Sequence, residues 1–242
     1  TNITSLSGSA ADLNTAYASS GISGLGNEAA TLSDTSLAVS VLNTLDSNTS
    51  GAIDASNITS LSGSAADLIT AYTAYDNGSI TGLGDETVNV SSGTADTSQA
   101  NALAAATSAV VTATISDGDM STLAGLSETG NAYSITITDN SVAAAALNTL
   151  DGKTSVAINA SNITTLTGAA ADLNTAYTAN GNGSITGLGN EAATLSDTSL
   201  AVSVLNTLDS NTSGSINASS INTLTGTAAD LNTAYASSGI SG

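Results

Sequence analysis

The residues best suited to chemistry in this chain are its carboxylates, and the closest pair, Asp117 and Asp119 of the run ISDGDM, brackets one glycine. Paired carboxylates can support glycoside hydrolysis. Two positions apart after a strand, they read more simply as a turn acid and the N-cap of a following helix. The chain has no His, Cys or Arg and one lysine, Lys153. The usual bases, metal-bound imidazoles and oxyanion partners are therefore missing, and no Ser has a base to activate it. These residue types argue against an enzyme. Calcium suits them better, because it takes carboxylate and carbonyl oxygens from loops. Asp117, Asp119, Asp139 and Asp197 fall where the chain is expected to turn corners and form the candidate metal set. Neither an EF-hand loop nor the GGxGxDx nonapeptide accompanies them. Calcium is thus the only cofactor in view, and the alternative for each acid is a solvated turn residue.

The elements that must position these acids are written in one short pattern: apolar, any, apolar, any, small or Asp, any, Ser/Asn/Asp/Thr, apolar. It recurs eight times, for example from Ala30 to Leu37, from Ile135 to Val142 and from Val156 to Ile163. The first four positions alternate with period two, which predicts a short strand buried on one face. The seventh position holds Ser36, Asn57, Thr94, Asp119, Ser141, Asn162, Ser199 and Ser220, all expected to cap a helix. Leu37, Val41, Leu42 and Leu45 then share a helical face, as do Leu200, Val204, Leu205 and Leu208. A longer helical unit is expected over Ile163, Leu166, Ala170, Leu173 and Tyr177, with Gly168 kinking or splitting it. Tyr17, Tyr72, Tyr177 and Tyr235 read as packing residues, and Gly24-Leu25-Gly26 and Gly187-Leu188-Gly189 as turns.

The pattern is copied on a larger scale. Gly24 to Gly51 recurs letter for letter as Gly187 to Gly214, and Ser220 to Gly242 restates the stretch ending at Gly24 with few changes. Repetition at a fixed offset marks a stacked-repeat architecture, and the open phase at both ends implies excision from a longer array. With Leu32, Ile53, Val90, Ile115, Ile137, Ile158, Leu195 and Ile216 as markers, the intervals are 21, 37, 25, 22, 21, 37 and 21 residues. The expected fold is α/β: a right-handed solenoid of strand–turn–helix coils around a parallel sheet. The competing reading is an all-β solenoid. Residues 1–242 would form one continuous segment with coils near 30–52, 53–89, 90–114, 115–136, 137–157, 158–194, 195–215 and 216–242. The 37-residue coils would carry an extra Gly-Leu-Gly loop on one face. The outer face of the sheet, with Thr114, Ser116, Thr136, Thr138, Asn159, Thr194, Ser196 and Asn217, should meet water or a partner.

Composition narrows the partners. A net charge of −19 with one cation excludes nucleic acid, whose phosphates need neutralising, and favours solubility and mutual repulsion. No apolar run reaches the length of a membrane helix, so membrane insertion is not expected. Self-association or continuation of the same chain is the expected partnership, with surface glycans as a second.

The phrases from Leu147 to Tyr177 (LNTLDGKTSVAINASNITTLTGAAADLNTAY) and from Ile185 to Gly214 (ITGLGNEAATLSDTSLAVSVLNTLDSNTSG) resemble the tandem repeats of giant cell-surface proteins of marine cyanobacteria. That group includes the type associated with swimming without flagella. The resemblance covers nearly the whole chain and implies secretion, a cell-surface location and a structural or adhesive role; it brings no site residues. The sequence thus points to an extracellular structural repeat protein, a rod, filament or surface-layer stalk, with an adhesive or glycan-binding module as the alternative.

Overall fold

The computed structural model describes residues 3–242. Short parallel strands alternate with helices throughout, which makes the fold mixed α/β without a closed barrel and removes the all-β alternative. Among the described residues the helices are α1 (Ala10–Tyr17), α2 (Val39–Asn48), α3 (Ala65–Asp76), α4 (Thr97–Ala106), α5 (Met120–Leu123), α6 (Ala144–Asp151), α7 (Ala170–Asn182), α8 (Val202–Asn211) and α9 (Ala228–Ala236). The chain divides into two compact units, Thr1–Ser116 with Gly130–Tyr133 and Asp117–Thr129 with Ser134–Gly242.

In the first unit one sheet runs Ser5–Gly8, Ala29–Leu32, Ile53–Asp54, Ile80–Thr81, all parallel. A second runs Ser36–Ala38, Ser60–Ser64, Thr87–Ser92, Val111–Thr114, also parallel. In the second unit Ser141–Ala143, Thr165–Gly168, Ala192–Leu195, Ile216–Asn217 and Ile240–Ser241 form one parallel sheet. Ile158–Asn159 pairs with Ile185–Thr186, and Ser199–Ala201 with Thr223–Thr225. Parallel neighbours need a crossover, and here a helix supplies it.

Partners in register are 23 to 27 residues apart, and 28 past the bulge at Ser64↔Ser92, as in Leu37↔Leu61↔Val88↔Val111 and Val142↔Leu166↔Ala193↔Ile216↔Ile240. The 37-residue intervals of the sequence pattern each contain a further strand, Ile80–Thr81 or Ile185–Thr186, paired directly with Ile53–Asp54 or Ile158–Asn159. The chain therefore returns to the sheet twice in that span, because Ile-Thr before Gly-Leu-Gly is extended rather than looped out. The pairing is also staggered. Ala192–Leu195 lies between Thr165–Gly168 and Ile216–Asn217, while Ser199–Ala201 of the same turn pairs with Thr223–Thr225.

The core holds small aliphatic side chains in layers: Leu42, Leu45, Leu61, Leu68 and Ile53 in the first unit, Leu147, Leu166, Leu173 and Ile185 in the second, each fully buried. Asparagines tie neighbouring helices together. The Nδ2 of Asn14, Asn43, Asn148, Asn174 and Asn206 donates to the carbonyl of Val41, Asp67, Asp172, Val204 and Asp230, at 2.9–3.1 Å. The eight polar positions expected on the outer sheet face, Thr114 to Asn217, are all exposed.

Two local expectations fail. Only Asp119 among the eight predicted caps is one. Ser36, Ser141 and Ser199 open strands, and their helices begin three residues later after Ala38, Ala143 and Ala201, with no side-chain cap. The pleat continues through Ser-x-Ala because Leu37, Val142 and Leu200 still pair with the neighbouring strand. Asn57 and Asn162 instead donate to the carbonyls of Leu32 and Ile137, both at 2.8 Å. Side-chain caps come from Ser9, Ser64, Asp96, Asp119 and Thr227. The long helical unit is also shorter than its apolar spacing suggests. Leu166 belongs to strand Thr165–Gly168, and the helix starts at Ala170 after Gly168, whose φ of 137° no helix holds. Three-residue apolar spacing fits either element when it is only one step long.

Candidate functional site

The most elaborate constellation is a buried glutamate built three times. Helices α1, α3 and α7 carry Tyr17, Tyr72 and Tyr177 near their ends, and the chain then bends through Gly-Leu-Gly-x to Glu28, Glu86 and Glu191. These three side chains are at most 1 % exposed. Each carboxylate turns back on its own loop. Glu28 accepts the N–H of Gly26 at 2.7 Å and of Asn27 at 3.1 Å. Glu86 accepts those of Gly84 at 2.8 Å and Asp85 at 3.3 Å, and Glu191 that of Gly189 at 2.8 Å. The phenol of the preceding helix donates to the same carboxylate, Tyr17 to Glu28 and Tyr177 to Glu191 at 3.3 Å, and Tyr72 to Glu86.

The next turn of the chain completes the joint. Thr49, Thr107 and Thr212 donate their hydroxyls to the backbone carbonyls of Glu28, Glu86 and Glu191, at 2.8, 2.7 and 3.1 Å. The same hydroxyls accept the N–H of Gly51, Ala109 and Gly214 at 3.0–3.1 Å. Helix end, loop glutamate and the following strand entry are thus fastened by one set of bonds.

Electrostatics follow from this enclosure. The Gly26 N–H, aided by the N–H of Asn27 and the Tyr17 hydroxyl, holds the Glu28 carboxyl below its ordinary range although burial opposes it. Burial raises the phenols of Tyr17, Tyr72 and Tyr177, the last to about 12, with the paired glutamate adding to the rise in each. One oxygen, Oε1, of Glu28 and of Glu191 is buried without a protein partner. Enclosed against its own backbone, each carboxylate grips the chain rather than a dissolved substrate.

The four predicted metal ligands lie in the second unit. Asp119 caps α5, accepting the Thr122 N–H at 2.9 Å and the Ser121 and Thr122 hydroxyls at 2.6 and 2.9 Å. Those bonds, the Ser121 hydroxyl foremost, hold its carboxyl low. Asp139 accepts the N–H of Met120 at 2.6 Å, so Asp119 and Asp139 serve the same helix start. Asp117 lies just before them, next to Gly118, whose carbonyl accepts the Thr138 N–H at 2.8 Å. Asp197 is elsewhere, accepting the N–H of Ala170 at the start of α7 at 2.7 Å. Asp34 does the same for Ala10 of α1, also at 2.7 Å. Among the described residues no three or more His, Cys, Asp or Glu side chains converge to hold a metal ion.

The glutamates escaped the sequence reading although a signal existed. Three of the four Glu in the chain follow Gly-Leu-Gly-x, with a Tyr 11 or 14 residues upstream. Reading the Gly pair as a turn and the Tyr as packing separated the two halves of one motif. Comparison with known protein families, curated proteins and solved structures finds no match.

Proposed function

We propose that the chain is a stretch of a right-handed α/β solenoid acting as an extracellular structural repeat protein, a rod, fibre or surface-layer stalk. One observation carries this reading. Repeated acids bond to the preceding turn of the chain with the same geometry. Asp34 and Asp197 cap the preceding helix at 2.7 Å, and Glu28 and Glu191 take the preceding tyrosine at 3.3 Å. A protein whose polar side chains recognise its own next turn is built to extend. The excess of acid over base supports a rod that stays apart from its neighbours. The glycan-binding alternative calls for clustered exposed rings, whereas among the described residues Tyr75 and Tyr235 are the tyrosines found with the exposed large apolar side chains.

Immunogold electron microscopy of intact cells producing the chain tests the reading. Label along fibres or a coat on the outer surface is expected; label confined to the cell interior contradicts it. Calcium at Asp117, Asp119, Asp139 and Asp197 forms no part of this reading, since Asp197 lies at the start of another helix from Asp119 and Asp139. Because Asp119, Asp139 and Asp197 already bind helix N–H groups, the melting curve is expected to be the same with calcium or chelator. A chelator-sensitive transition would place the ion in the structure.

A further inference from the structure

The tripeptide Asn-x-Ser/Thr, the acceptor signal for sugars linked to asparagine, occurs nine times among the described residues. The structure sorts these copies by what holds the asparagine. Asn57 and Asn162 are tied, their Nδ2 donating to the Leu32 and Ile137 carbonyls at 2.8 Å. Asn48 and Asn211 donate to the Oδ1 of Asn14 and Asn174 at 2.9 and 2.8 Å. Asn89, Asn159 and Asn217 lie in paired strands. Asn77 and Asn182 remain: both are exposed and outside every strand, and neither carboxamide bonds to another described residue.

These two stand in the same turn, at the ends of α3 and α7. Gly78 and Gly183 follow with φ of 81° and 83°, and the N–H of Ser79 and Ser184 returns to the Ala74 and Ala179 carbonyls at 3.1 Å. The segments from Tyr72 to Glu86 and from Tyr177 to Glu191 are three residues longer than that from Tyr17 to Glu28, and the two longer ones hold Asn-Gly-Ser. Each asparagine also borders a groove of one make. Asp46, Thr70 and Thr73 line about 320 Å³ beside Asn77, and Asp151, Thr175 and Thr178 line about 360 Å³ beside Asn182. The four threonine hydroxyls donate to their own helix at 2.8–2.9 Å. Toward the groove they therefore offer acceptor lone pairs, as the two carboxylates do. That lining suits a neutral ligand rich in O–H donors.

We infer that Asn77 and Asn182 are the glycan-bearing positions of the chain, one in each unit, each carrying an N-linked sugar whose first ring lies along its groove. The donor is a sugar esterified to a diphosphate, brought by a transferase. The asparagine Nδ2 forms a bond to the anomeric carbon as the bond from that carbon to the diphosphate oxygen breaks. The diphosphate leaves with the electron pair, and the Nδ2 proton passes to a base of the transferase. At Asn57 and Asn162 the same step must first break a short hydrogen bond, and at Asn89 it must open a sheet. The attached sugar adds bulk and hydration to the surface. The assignment stands apart from the rod reading, since it needs only a folded chain that meets the donor.

The test incubates the full folded chain with UDP-glucose and an N-glycosyltransferase that accepts Asn-x-Ser/Thr, its activity checked on an unrelated acceptor protein. Peptide mass spectrometry then reads the sugar at each asparagine. Initial transfer to Asn77 and Asn182 should exceed that to Asn57 and Asn162 by about tenfold, the population cost of freeing one hydrogen-bonded carboxamide. Ser79→Ala and Ser184→Ala should each remove the sugar from their own asparagine and leave the other site occupied. Chain recovered from the cells that make it should carry sugar at the same two positions. Equal transfer at the tied and untied asparagines overturns the inference, and so do bare Asn77 and Asn182 in either material. Surface labelling in the microscope tests the rod reading separately, so labelled fibres with bare asparagines remove the glycan sites alone.

Discussion

A carboxylate removed from water without a cation beside it survives ionised only where oriented N–H and O–H donors replace its hydration. Glu28 meets that condition through the N–H groups of Gly26 and Asn27 and the Tyr17 hydroxyl, and Glu86 and Glu191 take the same kinds of donor from their own Gly-Leu-Gly backbone and a tyrosine. Glu86→Gln replaces an acceptor with a buried NH₂ group facing N–H donors. It is expected to destabilise the first unit by about 1–3 kcal/mol in urea unfolding, and an unchanged midpoint would show the carboxylate to be dispensable. The pH dependence has two signs. The Glu28 carboxyl titrates lower in the folded chain than in the unfolded one, from an ordinary value of 4.5. Its contribution is therefore present above that value and lost as pH falls through the folded one. Acid unfolding of the Glu28→Gln variant should accordingly show a shallower pH slope. Tyr177 titrates higher in the folded chain, from 10.0 to about 12. Its contribution is complete below pH 10.0 and lost as pH rises toward 12. Tyrosinate absorbance should rise in two stages, exposed rings first, and a single stage at the ordinary phenol value would contradict the enclosure of Tyr177. At this scale the sequence was least legible. The eye follows apolar spacing, which placed Tyr177 correctly in the core, but a glutamate after a turn looks solvated until the loop is seen to fold around it.

Elements here are short, and close backbone approaches fix where they end. Gly187 follows strand Ile185–Thr186 with φ 89°, and a Cβ there would stand 2.8 Å from the Cα of Ser161. Gly82 repeats this against Ser56 at φ 78° and 2.7 Å. Gly187→Ala is expected to cost about 1–3 kcal/mol from backbone strain alone, read as a lowered urea midpoint of the second unit; an unaffected midpoint would mean that the strand can slide. Asp197→Ala strips the cap of Ala170 and should cost about 1 kcal/mol, with amide exchange quickening in the first turn of α7. Strand-then-helix order was readable, because period-two and period-three-to-four apolar spacing alternate along the chain. Boundaries were not. Ser36 and Ser141 look like caps, yet their hydroxyls come three residues before the first helical residue. A distant acid serves other helices, Asp34 the start of α1 and Asp197 that of α7, while the helices after Ser36 and Ser141 have no side-chain cap. The true repeat of 23–27 residues was hidden for a related reason: Ile80–Thr81 and Ile185–Thr186 are strands of only two residues, too brief to show alternation.

Within each of the two units one turn of the chain bonds to the next. Apolar layers of Leu, Ile and Ala provide the burial, and the asparagine ladder, the aspartate caps and the glutamate joints fix the register. On the proposed solenoid reading, stability and length rise by increments as turns are added. Gly24 and Gly242 occupy the same phase, so further copies of residues 25–242 can be joined in register. Small-angle scattering on one, two and three joined copies tests the central claim most directly. With nine helices among the described residues of each copy and about 4.8 Å between stacked strands, the proposed solenoid should lengthen by a constant increment of about 40 Å per copy. Growth of the radius of gyration by only about 1.3-fold per doubling, as for a compact globule, would contradict it.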